Sequence, residues 1–214
     1  MTIRLGLTGS IGMGKSAVAT MFRSHGVAVF DADAEVHRLQ GAGGALLPAI
    51  AAAFPGTVGS DGVDRTRLGA AVLGDPAALA RLEAIVHPAV ATARQAFLQR
   101  QAAESLVVLD IPLLYEKGGA EHVDAVAVVS APPAAQRARV LSRPGMSPER
   151  LDAILALQMS DTEKRARADF VIDTGVALAE TEAAVGALVA CLRARGVRYC
   201  RACAKSSSIP KPPA

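Results

Sequence analysis

Short apolar runs alternate with longer helix-type stretches along most of this chain. The runs Ile3–Thr8, Val27–Phe30, Leu106–Asp110, Ala125–Val129 and Phe170–Asp173 are mostly near-continuous rather than alternating. Strands covered on both faces need that pattern, so these segments predict a parallel sheet flanked by helices. Helices are predicted over Lys15–Ser24, within a long region from Ala45 to Glu104, over Ala134–Leu141 and Pro148–Ala168, and from Leu178 to Arg195 before Gly196. The alternation implies right-handed crossovers and an open α/β sheet of about five strands. The stretch Glu35–Ala103 breaks the rhythm: it holds Ala-rich pieces separated by Gly and Pro and no convincing strand. It reads as a helical insertion beside the sheet, or as one long helical crossover.

Composition narrows the partners. The 214 residues are 51% hydrophobic, enough for a real core in one domain with a smaller lobe. A net charge of +3 supplies no broad basic field, and with no Trp, 2 Tyr and 5 Phe there is no stacking platform for nucleic acid. A small anionic ligand fits better. Arg4 interrupts the first apolar run, and the uncharged stretch Leu39–Ser60 contains Pro48, Pro55 and five glycines. Neither an export signal nor a membrane helix is expected, and a cytoplasmic location is the default. Cys191, Cys200 and Cys203 are too few for a disulfide scaffold. The lone Cys200-x-x-Cys203 reads as chance spacing, with inter-chain oxidation its practical hazard. Lys164, Arg165 and Arg167 read as a solvated charged cluster, and residues 197–214 as a flexible tail, disordered over Lys205–Ala214.

The strongest chemical signal is Gly9-Ser10-Ile11-Gly12-Met13-Gly14-Lys15-Ser16, which matches G-x-x-x-x-G-K-[ST] between a predicted strand and a predicted helix. Glycines let the backbone curl so that successive N–H groups face phosphate oxygens, and the helix start adds its positive dipole end. Lys15 is expected to reach the β- and γ-phosphates and the Ser16 hydroxyl to ligate Mg²⁺. The chain is therefore read as binding ATP with Mg²⁺ on a P-loop NTPase fold. It contains no Asn at all, which opposes the Asn-Lys-x-Asp signature of a guanine-specific switch. A small-molecule kinase remains the main reading; a nucleoside monophosphate kinase and a nucleotide-dependent binding module are its rivals.

Asp31 and Asp33 fall at the carboxyl end of the second predicted strand, where ligands sit in open α/β sheets. Either carboxylate could accept the proton of an attacking hydroxyl, help hold Mg²⁺ through water, or simply cap the next helix. Asp110, at the end of the Leu106–Asp110 strand, is a candidate Mg²⁺-water partner or a polar strand cap.

Thr8–Ser16, Asp31-Ala32-Asp33, His87-Pro88, Pro112-Leu113-Leu114 with Glu116, and Ala168-Asp169 with Val171-Ile172-Asp173 together resemble the dephospho-CoA kinase family, in that family's order. Gln158 and Lys164 also fall where the family has its Gln and Lys. The resemblance implies ATP-dependent phosphorylation of the ribose 3′-hydroxyl of dephospho-CoA, with those two molecules as the partners. It implies a nucleotide-binding core over 1–34 and 104–196, a CoA-side insertion over 35–103 and a lid near 137–150. It makes Asp33 the base, places Asp31, His87 and Leu114 at the CoA substrate, and makes Arg139 and Arg143 lid arginines. Four residues apart, those arginines are expected on one helix face, where guanidiniums can neutralise a transferring phosphoryl group. Two departures stand out: Pro144 follows Arg143, and Asp173-Thr174-Gly175 replaces an Asn-bearing turn near the adenine.

Overall fold

The computed structural model describes residues 2–205. In chain order the elements are β1 (Ile3–Thr8), α1 (Lys15–Ser24), β2 (Ala28–Asp31), α2 (Ala32–Gln40), α3 (Leu47–Ala53), β3 (Val58–Gly59), β4 (Gly62–Val63), α4 (Arg65–Val72) and α5 (Pro76–Arg100). They continue with β5 (Leu106–Asp110), β6 (Ala125–Ser130), α6 (Pro133–Leu141), α7 (Pro148–Ala156), α8 (Asp161–Arg167), β7 (Phe170–Asp173) and α9 (Leu178–Lys205). The described residues divide into two compact units, one Phe30–Arg100 and the other formed by 2–29 with 101–205.

Five strands form one sheet in the order β2-β5-β1-β6-β7, with β1 parallel to both β5 and β6, and β7 parallel to β6. The pleat divides the apolar runs between two faces. Leu5, Leu7, Ala125, Ala127, Val129, Phe170 and Ile172 join Val18 and Phe22 of α1 and Val185, Val189 and Leu192 of α9 in the main core. Val126 and Val128 point the other way, against Leu114. Burial on both sides is why these strands read as continuous apolar sequence. Register then decides what stands at the top of the sheet: Leu7 is level with Asp110, and Thr8 with Val128. The loop after β1 therefore starts beside the end of β5.

The unit Phe30–Arg100 has a separate core of Leu39, Leu46, Ile50, Phe54, Leu68 and Ala78. It holds a short antiparallel hairpin, β3 with β4, in the stretch expected to lack strands. Gly62, at φ 107, takes a conformation few side chains tolerate and helps the chain reverse there. Helix α5 continues through Pro88, which lies in its interior.

Other boundaries move for identifiable reasons. Strand β2 lies one residue later than expected. The helix expected over Pro148–Ala168 is two helices, because Ser160 and Glu163 form a capping box that starts α8 afresh. Helix α9 does not end at Gly196. It breaks there, at φ 72, and resumes to Lys205. The part of the expected flexible tail before Ser206 is thus helical; the rest lies outside the described residues. The break also pairs Cys191 with Cys200 in a disulfide, with Cα atoms 6.1 Å apart. In an unbroken helix, nine residues would separate those Cα atoms by about 13 Å.

Candidate functional site: the phosphate loop and its clamps

The segment Gly9–Gly14 links β1 to α1, whose N-cap is Gly14 at φ 88; Gly12 has φ 78. Positive φ alone favours glycine at both positions, and space adds to it. A Cβ on Gly12 would lie 2.4 Å from Val140 Cγ2, and one on Gly14 would lie 3.2 Å from Thr174 Oγ1. No acidic side chain occupies the first turn of α1. That leaves the helix's positive end to favour an anion.

Lys15 Nζ lies 2.5 Å from Asp110 Oδ1. The lysine side chain is 16% exposed and the carboxylate 2%. The cation is thus half-buried and paired, not a free surface charge, and Asp110, a candidate metal partner by position, presents one oxygen to Lys15. Ser16 is exposed in the first turn of α1.

Three segments distant in sequence hold the loop. Ile11 donates its N–H to Gln158 Oε1 at 3.2 Å, and Gln136 Nε2 donates to Ile11 O at 2.8 Å. Thr174 Oγ1 donates to Met13 O at 2.7 Å and accepts from Arg139 Nη1 at 3.0 Å; Arg139 Nη2 also donates to Thr174 O at 2.6 Å. Thr174 is therefore a brace for the loop, and its hydroxyl is committed on both sides. Thr8 Oγ1 donates to Pro112 O at 2.8 Å, tying the base of the loop to the segment after β5. A cleft of about 350 Å³ opens nearby, with Met13 and Pro132 among its apolar walls and Asp161, Arg165 and Asp173 among its polar ones.

Several expected site residues are placed differently from the sequence reading. Helix α6 ends at Leu141 with Ser142 as its C-cap, so Arg143 lies beyond the helix and does not share a face with Arg139. Pro144 explains this, since the residue before a proline is pushed out of helical geometry. Leu114 is fully buried against Val126 and Val128, so it supports the site from the core rather than facing a substrate. Lys164 is not in a solvated cluster: it is fully buried, 2.9 Å from Glu116 Oε1. One turn of helix puts Lys164 inward and Arg165 and Arg167 outward. Only its wrong neighbours in sequence suggested a surface position.

Asp31, Asp33 and His87 belong to the unit Phe30–Arg100. Asp31 is the N-cap of α2, its Oδ1 accepting from Ala34 N at 2.9 Å. Asp33 is exposed in the first turn of α2, and His87 is exposed on α5. The brace from Gln136 was missed entirely in the sequence, because a glutamine inside a basic helix carries no pattern of its own.

The dephospho-CoA kinase family model matches residues 3–180. Two curated relatives named dephospho-CoA kinase extend the likeness. The protein from Novosphingobium aromaticivorans is 64% identical over 194 residues, covering 91% of this chain and 96% of that one. The protein from Mesorhizobium japonicum is 58% identical, covering 89% and 97%. Among solved structures, TT1252 from Thermus thermophilus matches with a TM-score of 0.78 at 38% identity, covering 88% of this chain and 97% of that one. Dephospho-CoA kinase from Campylobacter jejuni shares the fold, with a TM-score of 0.61 at 24% identity, covering 88% and 96%. A braced phosphate loop, a family match along most of the chain and relatives matched over nearly their whole length agree, and this chain belongs to the dephospho-CoA kinase family.

Proposed function

We infer that this chain transfers the γ-phosphoryl group of ATP to the ribose 3′-hydroxyl of dephospho-CoA, giving coenzyme A and ADP, the last step of coenzyme A synthesis. The observation that carries the reading is 64% identity to a dephospho-CoA kinase across 91% of the chain, joined to a formed phosphate loop. ATP lies with its phosphates on Gly9, Ser10, Gly12, Met13, Gly14, Lys15 and Ser16. Ile11 contributes differently, since its amide already donates to Gln158. When phosphates arrive, Lys15 exchanges part of its contact with Asp110 for them, a short movement for a flexible ammonium.

Mg²⁺ fits this donor set. No group of three or more His, Cys, Asp or Glu placed to hold a metal occurs among the described residues, so those residues make no cage of their own. A hard cation held by one hydroxyl, phosphates and waters needs none. Ser16 would hold it, with Asp110 acting through water, and when bound it supplies neutralisation of phosphate charge.

The unit Phe30–Arg100 is the substrate side, with His87 near the CoA moiety. Asp33 takes the proton of the 3′-hydroxyl as its oxygen bonds to the γ-phosphorus and the bond to ADP breaks. Asp31 keeps the backbone of that corner fixed as a cap. Arg139, anchored on Thr174, and Arg143, beyond the helix end, place positive charge toward the phosphates; the segment 137–150 that carries them is the lid. A cytoplasmic location accompanies the reading, and no described helix is long and apolar enough to cross a membrane.

Mass spectrometry of dephospho-CoA incubated with the protein and Mg-ATP tests the proposal. A product heavier by one phosphoryl group supports it. Unchanged dephospho-CoA, with transfer to a nucleoside monophosphate or another alcohol, refutes it.

A further inference from the structure

Buried ion pairs are poor devices for stability, because apolar replacements of like volume do as well or better. Lys164 and Glu116 nevertheless form one in the unit that holds the phosphate loop. Lys164 is completely buried, and the Glu116 side chain is 14% exposed. Glu116 Oε1 receives both Lys164 Nζ, at 2.9 Å, and the backbone N–H of Met159, at 2.9 Å. Its other oxygen has no hydrogen-bond donor among the described residues. Burial pushes the Glu116 carboxyl upward, but the bond from Lys164 and the backbone N–H of Met159 outweigh it and hold the group below its ordinary value. The carboxylate is kept charged where charge is expensive to keep.

What it holds is the junction between α7 and α8. Met159 is the residue after Gln158, and Gln158 Oε1 accepts from Ile11 N–H. On the opposite side of the same residue, Gln136 Nε2 donates to Ile11 O. Lys164, Glu116, Met159, Gln158 and Ile11 thus form a continuous path of charged, backbone and amide contacts from the core to the crown of the loop. We propose that Glu116 and Lys164 are positioning residues for the phosphoryl donor, acting through Gln158 to set the shape of the phosphate loop. They touch neither substrate. The inference rests on the kinase reading above only in taking the loop to be the ATP site.

A position-setting role separates from a stability role in a set of three variants. The Glu116→Leu/Lys164→Met double replaces the ion pair by apolar side chains and removes the anchor on Met159. Gln158→Ala, at a half-buried site, removes the contact with the loop alone. The triple variant combines them. The Kd for the ATP analogue AMP-PNP, by calorimetry, and KM for ATP are read beside the melting temperature. The double and Gln158→Ala are each expected to weaken AMP-PNP about 3- to 10-fold, the net worth of one hydrogen bond. The double should do so even where its melting temperature equals that of the parent, with kcat at saturating ATP little changed. In the triple, the losses should not multiply, because both act through one contact. A stable double with parental Kd overturns the proposal, as do losses that multiply in the triple. If the double does not fold, Glu116→Gln and Gln158→Ala, alone and combined, give the same non-additivity test. A parent protein that binds no AMP-PNP overturns the nucleotide reading itself, and this inference with it; a parent that binds beside unaltered variants overturns this inference alone.

Discussion

Asp33→Asn separates two jobs that one carboxylate-rich corner could perform. Asp31 already fills the capping position of α2, accepting from Ala34 N at 2.9 Å, so the helix start does not need Asp33. Asp33 is exposed in the first turn, where its charge favours the helix by about 0.3–1 kcal/mol through the dipole. Removing that charge should leave the fold nearly as stable as before. If Asp33 takes the hydroxyl proton, turnover should instead fall about 10²- to 10⁴-fold. At 1.36 kcal/mol per decade that is about 3–5 kcal/mol on the barrier, several times the loss in stability. Asp31→Asn is the internal control: Asn caps about as well as Asp, so both stability and turnover should stay near parental, whereas Asp31→Ala loses about 1 kcal/mol. Turnover is followed by coupled detection of ADP with saturating dephospho-CoA, stability by urea melts, and ATP binding by calorimetry. Near-parental turnover in Asp33→Asn refutes the base assignment. An equal loss in Asp31→Asn shows that the two carboxylates act as one unit.

Three other outcomes follow from particular contacts. Thr174→Val keeps the shape but strands Met13 O and removes one of the two bonds from Arg139, leaving Nη2 on the Thr174 backbone O; it should lose about 1–3 kcal/mol in urea melts and raise KM for ATP. The Asp124 carboxyl is held below its ordinary 3.8 chiefly by its bond from Arg4, against burial and with the Arg4 backbone N–H in support. A depressed carboxyl contributes stability above its unfolded value and loses it as pH falls through the folded one, so Asp124→Asn should flatten the decline in stability below about pH 4, read from urea melts at stepped pH. Reducing Cys191–Cys200, which closes a separation of 9 residues, should lower stability by about 2–3 kcal/mol. Melting with and without a phosphine reductant, beside a thiol count under denaturing conditions, checks it; an unchanged melt in protein that titrates as oxidised refutes it.

The phosphate loop could be read from eight consecutive residues because its function needs a local geometry: glycines for the curl, a lysine and a serine at the helix start. The parallel sheet was legible for a related reason, since burial on both faces leaves near-continuous apolar runs such as Leu106–Leu109. The carboxylates at Asp31 and Asp33 could be found, and the family resemblance singled out Asp33, but the residues alone left a capping role open at both; the bond from Ala34 N gives the cap to Asp31. What holds the loop was out of reach. Gln136, Gln158 and Thr174 meet Ile11 and Met13 across 125 to 161 residues of chain, and an amide or hydroxyl carries no periodic signature of its partner. Lys164 was misplaced for the same reason: its sequence neighbours are surface arginines, and only the packing of α8 against the sheet turns it inward to Glu116. Local conformation and burial periodicity are properties of neighbouring residues and are written in the sequence. The pairing of buried polar groups depends on which distant backbones come to lie side by side, and that the tertiary structure alone decided.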